Sequence, residues 1–378
     1  MLRHALLCSL LFATPALAEV CPFYIGTFPG PSGGKGIYLD SIDTATGKLG
    51  TLSLAVAAPN PGFLALSPDK KFIFATGNNV VVSFAIQSDG TLKAINQQPS
   101  GGAGTTHVNV DQRGGCVFVA NYTAGNIASF PVDGQGSIGP MASVETFTGS
   151  GPNPDRQKHS FAHSVYVDPT NHFVYSCDLG SDTVWIFKLD PGTAKLTPAT
   201  PPFAKVPPGS GPRHLTFAQD GKIVYVINEM GLTVSVFARD AVTGALTPLQ
   251  TVPVLQAGTP TTVPSSQPGV PAKSFTASEV WVHPSGKWLY TATRFIDVIS
   301  VFDIAPDGRL TLKQNVPSVA KTPRDFALDP SGHWLLAAGM DDNRIVVLKI
   351  DQATGELLPT DQVVSVGTPV CIQFDPAK

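Results

Sequence analysis

GSGPRHLTFAQDGKIVYVINE, residues 209–229, decides how the rest of the chain is read. Its first arm begins at Arg213 and His214 and continues through Leu215, Thr216 and Phe217, a β-rich segment bounded by Gly, Pro and Asp. AQDGK is turn sequence. The second arm, Ile223-Val224-Tyr225-Val226-Ile227, is too short and too β-branched for a helix, and it ends at Asn228-Glu229. An antiparallel hairpin sets the start of its first strand beside the end of its second, so Arg213 and His214 are expected near Glu229.

The same hairpin recurs as FLALSPDKKFIFATGN, HVNVDQRGGCVFVANY, HSVYVDPTNHFVYSCDLG, EVWVHPSGKWLYTATR and DFALDPSGHWLLAAGM. Between the copies runs a turn signature of the type DTATGKL, ending in turn at Leu49, Leu92, Ile138, Leu196, Leu246, Leu310 and Leu357. Seven signatures imply seven units, and a fixed period of a few tens of residues points to a repeat architecture. The seventh hairpin is split between the two ends, and the unit it belongs to, which holds the N-terminal arm, counts as the first. The chain closes on Val370-Cys371-Ile372-Gln373-Phe374 without a second arm, while Phe23-Tyr24-Ile25-Gly26-Thr27 is a second arm without a first. Short strands in such units, with terminal strands completing one of them, predict an all-β fold: a seven-bladed β-propeller closed by pairing of the N- and C-terminal strands. A β-sandwich explains neither the sevenfold repetition nor the split unit.

Composition agrees with this reading. The 378 residues include 36 Gly and 34 Pro, and 14% are charged, against a usual share of about 25%. Residues 1–18 read as a secretory signal: Arg3 and His4 precede an apolar run, and Ala16-Leu17-Ala18 is an A-x-A cleavage site. That leaves residues 19–378 as one propeller domain and places the mature protein in the periplasm or outside the cell. The apolar run is too short to span a membrane, which needs about 20 residues. A formal net charge of −3 without charge runs offers no nucleic-acid or lipid surface. A small-molecule lactone or carboxylate is the expected partner, and a ring closed on itself is expected to be a monomer. Cys21, Cys116, Cys177 and Cys371 all sit in or beside apolar strands, where disulfides and buried thiols are equally compatible with the sequence.

If the hairpins are the inner strands, their open ends ring one mouth of the central channel. That mouth collects Asn60 with Asn78, His107 with Asn121, His163 with Asp178, Arg213 and His214 with Glu229, Glu279 with Arg294, and Arg324 with Asp341. The turn-lined end offers no comparable set. Insertions at residues 148–159, which carry Arg156, and at 256–275 enter the same face, where extended loops usually mark function. Asn78, Asn121 and Asp178 also suit turn formation, and the Arg/Glu pairs suit structural ion pairing.

FYIGTF, DRQKHSFAHSVYVDP, DLGSD, GSGPRHLTF, YVINE and TPRDFALDPSG together resemble the seven-bladed β-propeller lactonase family, which includes bacterial 6-phosphogluconolactonases and fungal carboxymuconate cyclases. The resemblance covers nearly the whole chain after residue 18. It implies an active site at the mouth involving His163, Arg213, Glu229 and Arg294. Three departures stand out. Phe161 replaces a histidine that many relatives carry, Thr293 stands where Asn is common, and a signal peptide is unusual for a cytosolic sugar-phosphate enzyme.

Lactone hydrolysis needs an activated water and a stabilised oxyanion. Arg213 and Arg294 suit the oxyanion or a substrate carboxylate, because a guanidinium donates in a fixed fork. Glu229 or His163 supplies the general base, with Glu229 the first choice. Arg156, His107, His214, Glu279 and Arg324 complete the expected substrate-binding set, with no cofactor and no metal. The alternatives are a muconate-type cycloisomerase using the same groups and a non-catalytic secreted propeller that binds a ligand or protein partner. A calcium-dependent lactonase with Glu229, Glu279, Asn121 and Asp178 as oxygen ligands is disfavoured by the arginines among them.

Overall fold

The computed structural model describes residues 19–30, 33–263 and 273–375; residues 1–18, read above as a signal, and the middle of the second insertion lie outside the described residues. Seven four-stranded antiparallel sheets make up the ring, with no α-helix among the described residues. The decisive hairpin is Pro212–Phe217 paired with Ile223–Asn228, followed outward by Thr233–Arg239 and Leu246–Pro253. The ring closes as the split unit requires: Val20–Thr27 lies between Gly36–Asp43 and Pro369–Phe374, so one blade takes strands from both ends of the described chain. A two-residue ribbon, Thr262–Val263 with Lys273–Ser274, bounds the second insertion.

The first strand of each hairpin lines the channel, and the fourth faces solvent. Second strands are buried on both faces, and third strands largely so, because blades pack face to face. One such interface joins Trp288, Tyr290, Ile299 and Val301 of the sixth blade to Phe326, Leu335 and Val346 of the seventh. Cys21, Cys116, Cys177 and Cys371 are buried in these layers, and none is in a disulfide.

The turn signatures that count the blades also join them. Tyr175 Oη, in the second strand of the fourth blade, donates to the carbonyl of Gly244 in the turn of the fifth at 2.8 Å. Tyr24 with Gly90, Tyr225 with Gly308 and Tyr290 with Gly355 repeat that bond at 3.0, 3.0 and 2.8 Å. Gly244 has φ +77°, and a Cβ there would sit 2.4 Å from the Phe173 ring. Gly244→Val therefore both strains the backbone and overfills the interface. The expected cost is about 2–4 kcal/mol, read as a lower urea midpoint with the far-ultraviolet spectrum retained. An unchanged midpoint would show that this turn does not hold the blades together.

One regularity positions the site. Each first strand from the third blade to the seventh carries a β-bulge near its start, and the residues left out of register are Thr106, His163, Arg213, the pair Ser278 and Glu279, and Arg324. A bulge inserts an unpaired residue and turns its side chain out of the regular alternation. Five blades thus turn polar groups toward the channel near the open ends of their hairpins.

Candidate active site

Three of the out-of-register residues, Thr106, His163 and Arg324, line a cup of about 200 Å³ at the mouth together with Tyr122, Arg156, Glu229 and Arg294; Arg213 is buried behind that lining. Glu229 is its electrostatic centre. Arg156 Nη2 donates to Glu229 Oε1 at 2.7 Å, while Arg213 Nε and Arg294 Nη2 lie 3.2 and 3.0 Å from Oε2. Arg213 comes from the same hairpin, Arg294 from the next blade and Arg156 from the first insertion. Gln157 anchors that loop by donating to the Leu179 carbonyl at 2.9 Å and to Asp182 at 2.8 Å. Burial alone would raise the carboxyl pKa of Glu229, but the guanidiniums of Arg294, Arg213 and Arg156 outweigh it and hold the group at about 2.

His163 lies across the cup. Its pKa is pushed well below the ordinary 6.5, first by burial and then by the charges of Arg213 and neighbouring groups, so the imidazole is neutral at physiological pH. Its Nδ1 has no hydrogen-bond partner, and its ring meets Tyr122 edge-on at a centroid distance of 5.6 Å. Arg324 is half-buried on the cup lining, beside other cations. Burial, then Arg213 and Arg294, bring its pKa down to about 9. Its guanidinium lies over the Phe28 ring at 5.1 Å.

The expected pairing of Arg213 with Glu229 is present, but Glu279 with Arg294 is not. In the sixth hairpin Thr276 faces Arg294, and the bulge turns Glu279 inward to His214, with His214 Nδ1 at 2.6 Å from Oε2. Arg294 reaches across to the fifth blade instead. Arg324 does not pair with Asp341, whose carboxylate accepts from Thr322 Oγ1 at 2.5 Å. Asn121 donates to the Ser100 carbonyl and to Asn126, and Asp178 accepts from the backbone of Phe161 and Gly180 and from Ser181 Oγ. These two side chains tie up strand ends, so the four oxygens considered for calcium do not converge.

His107, His214 and Glu279 sit below the cup rather than on its lining. His107 and Glu279 belong to a second cavity of about 480 Å³ at the turn-lined end, together with Tyr166, Asp325 and Cys371. That end does hold a titratable set, contrary to expectation, because side chains just past each bulge point down the channel. Sequence reasoning missed Thr106, Tyr122, Tyr166 and Asp325. The available signal was positional: Thr106 and Asp325 occupy the places equivalent to Arg213 and His214.

Residues 22–374 match the family model for lactonases with a seven-bladed β-propeller. Curated relatives include a 6-phosphogluconolactonase of Formosa agariphila, 32% identical over 90% of this chain and 96% of its own. One of Bacillus subtilis is 30% identical over 93% and 97%. Among solved structures, the periplasmic gluconolactonase of Pseudomonas aeruginosa is 28% identical, covers 94% of this chain and 99% of its own, and superposes with a TM-score of 0.83. With the sevenfold ring, the split blade and an arginine-bound glutamate at its mouth, these matches place the chain in the seven-bladed β-propeller lactonase family, a family of lactone hydrolases.

Proposed function

We propose that the protein hydrolyses a small sugar-type lactone bearing an acidic group, that it does so in the mouth cup, and that it works outside the cytoplasm as a monomer. The observation that carries the substrate class is charge. Arg156, Arg294 and Arg324 line the cup beside a neutral histidine, and Arg213 lies behind that lining; among the described residues Glu229 is the one carboxylate paired with Arg156, Arg213 and Arg294, and Arg324 has no ion-pair partner. A buried excess of cations is costly unless an anion arrives to share it. Export rests on the basic, apolar and A-x-A pattern of residues 1–18 and accords with the periplasmic relative.

In this reading Arg294 and Arg324 face the carbonyl oxygen as it gains negative charge, and Arg156 meets the acidic substituent. His163 takes a proton from the attacking water. Glu229 is the weaker base, because three guanidiniums stabilise its ionised form, and it serves instead to hold them in place. An incoming anion offsets the arginine charges that suppress His163, so substrate binding raises the basicity of the base. Collapse of the tetrahedral intermediate breaks the ring C–O bond, and the leaving oxygen takes up a proton.

The test is turnover of a panel of phosphorylated sugar lactones, sugar-acid lactones, neutral lactones and muconates, with and without EDTA. Acidic lactones should be turned over with EDTA present. Arg156→Ala, in a half-exposed loop, should raise KM for them about tenfold with kcat little changed. Turnover of neutral lactones alone, or of muconates alone, would overturn the substrate assignment.

A further inference from the structure

Beneath the cup is a set of buried acids that the hydrolytic step does not use. His214 Nδ1 and Glu279 Oε2 are 2.6 Å apart, and Glu279 is hydrogen-bonded in turn to Asp325. Glu279 Oε1 accepts from the Val280 amide at 3.0 Å, and Asp325 Oδ2 accepts from the Ile372 amide at 2.6 Å. Above, the His214 ring stands edge-on to His163, with centroids 5.1 Å apart. Below, both carboxyls line the 480 Å³ cavity that opens at the opposite end of the channel. The three groups therefore connect the cup to the far face of the ring.

We propose that His214, Glu279 and Asp325 form an internal proton store that accepts the proton released in each turnover and passes it to the far end of the channel. The inference rests on hydrolysis at the cup. Water supplies two protons in that reaction: one ends on the ring oxygen as it becomes a hydroxyl, and the other leaves when the new carboxylic acid ionises. A cup filled by arginines and an anionic product holds that second proton poorly. No hydrogen bond joins the two edge-on rings, so a water must carry the proton from His163 to His214; the remaining steps follow contacts already in place.

Two carboxyls in contact at low dielectric do not both ionise. Burial raises Glu279 to about 7 and raises Asp325 well above the carboxylate range, each despite the opposing charge of Arg213. Arg324 also lowers Glu279, while Tyr166 and Cys371 flank the pair and are themselves pushed upward by burial. His107 packs against His214 from the other side at 5.2 Å, neutral for the same reason as His214. No other carboxylate is hydrogen-bonded to the pair among the described residues, so the shared proton is theirs.

Infrared difference spectroscopy and steady-state kinetics on the full protein test this together. Wild type should show a protonated-carboxyl C=O band at neutral pH that is lost or shifted in both Glu279→Gln and Asp325→Asn. Both variants should lose about tenfold in kcat with KM unchanged, and rising concentrations of imidazole buffer should restore the rate. Absence of the band in wild type, or a kcat loss indifferent to buffer in both variants, would overturn the proton store. The underlying lactonase reading fails separately: no lactone is turned over while the band remains.

Discussion

Glu229→Gln is expected to cost about 3–5 kcal/mol of stability and at least about 10³-fold in kcat/KM, the largest combined effect of any single change at the mouth. The carboxylate is about 6% exposed and is the shared partner of Arg156, Arg213 and Arg294. Glutamine keeps the shape but removes the charge, leaving the buried guanidiniums of Arg213 and Arg294 and the half-exposed one of Arg156 with nothing to balance them. They then separate, and the geometry that faces the carbonyl is lost with them.

A pH experiment identifies the cause. Glu229 has a folded-state pKa of about 2 against an ordinary 4.5, so its stabilisation is complete above the higher value and is lost as pH falls toward the lower. Wild type should therefore lose stability across that acid window, and the corresponding limb should flatten in Glu229→Gln. A variant with an unchanged acid limb would show that the ion cluster is not what the carboxylate contributes.

His163→Ala should lower kcat by about 10²–10⁴-fold, the range typical of a lost general base, while leaving the urea midpoint nearly unchanged. His163 is buried, but its Nδ1 bonds to nothing that its removal would orphan. Because burial and the arginines depress its pKa, kcat/KM of the wild type should stay flat as pH falls through the ordinary histidine range near 6.5. A descending limb centred there would contradict the neutral-histidine assignment. Retention of activity in His163→Ala would return the role to Glu229.

The ring was legible in the sequence because its punctuation is local. A turn such as residues 240–246 needs a residue at positive φ, glycine in six of the seven turns and Ala194 in the other, and the seven can be counted without knowing what they touch. The orphan arms at the two ends likewise declared the shared blade. The mouth was legible only in part. Hairpin geometry correctly set Arg213 beside Glu229, since both belong to one hairpin. It misled at Glu279, because alternation along a strand carries no sign of an extra residue, and the bulge turned that side chain from Arg294 to His214. Arg294 and Arg156 reach Glu229 from another blade and from an insertion, contacts that no register within a hairpin can express. Asp325 was hidden for the same reason: its role depends on which way the residue after a bulge points.

The strand Pro369–Phe374 has a bearing on the order in which the protein becomes competent. It pairs with Val20–Thr27 from the other end of the described chain, and its Ile372 amide binds Asp325. Closing so long a loop adds little to the equilibrium cost, which grows only with the logarithm of length, but contacts this distant form late. The final strand thus works as an assembly checkpoint. Until it inserts, the seventh blade has a bare neighbour, Asp325 lacks its amide, and the inner acids stand open to solvent. A chain still emerging from synthesis is inert under this scheme, and activity arrives in one step when the circle shuts.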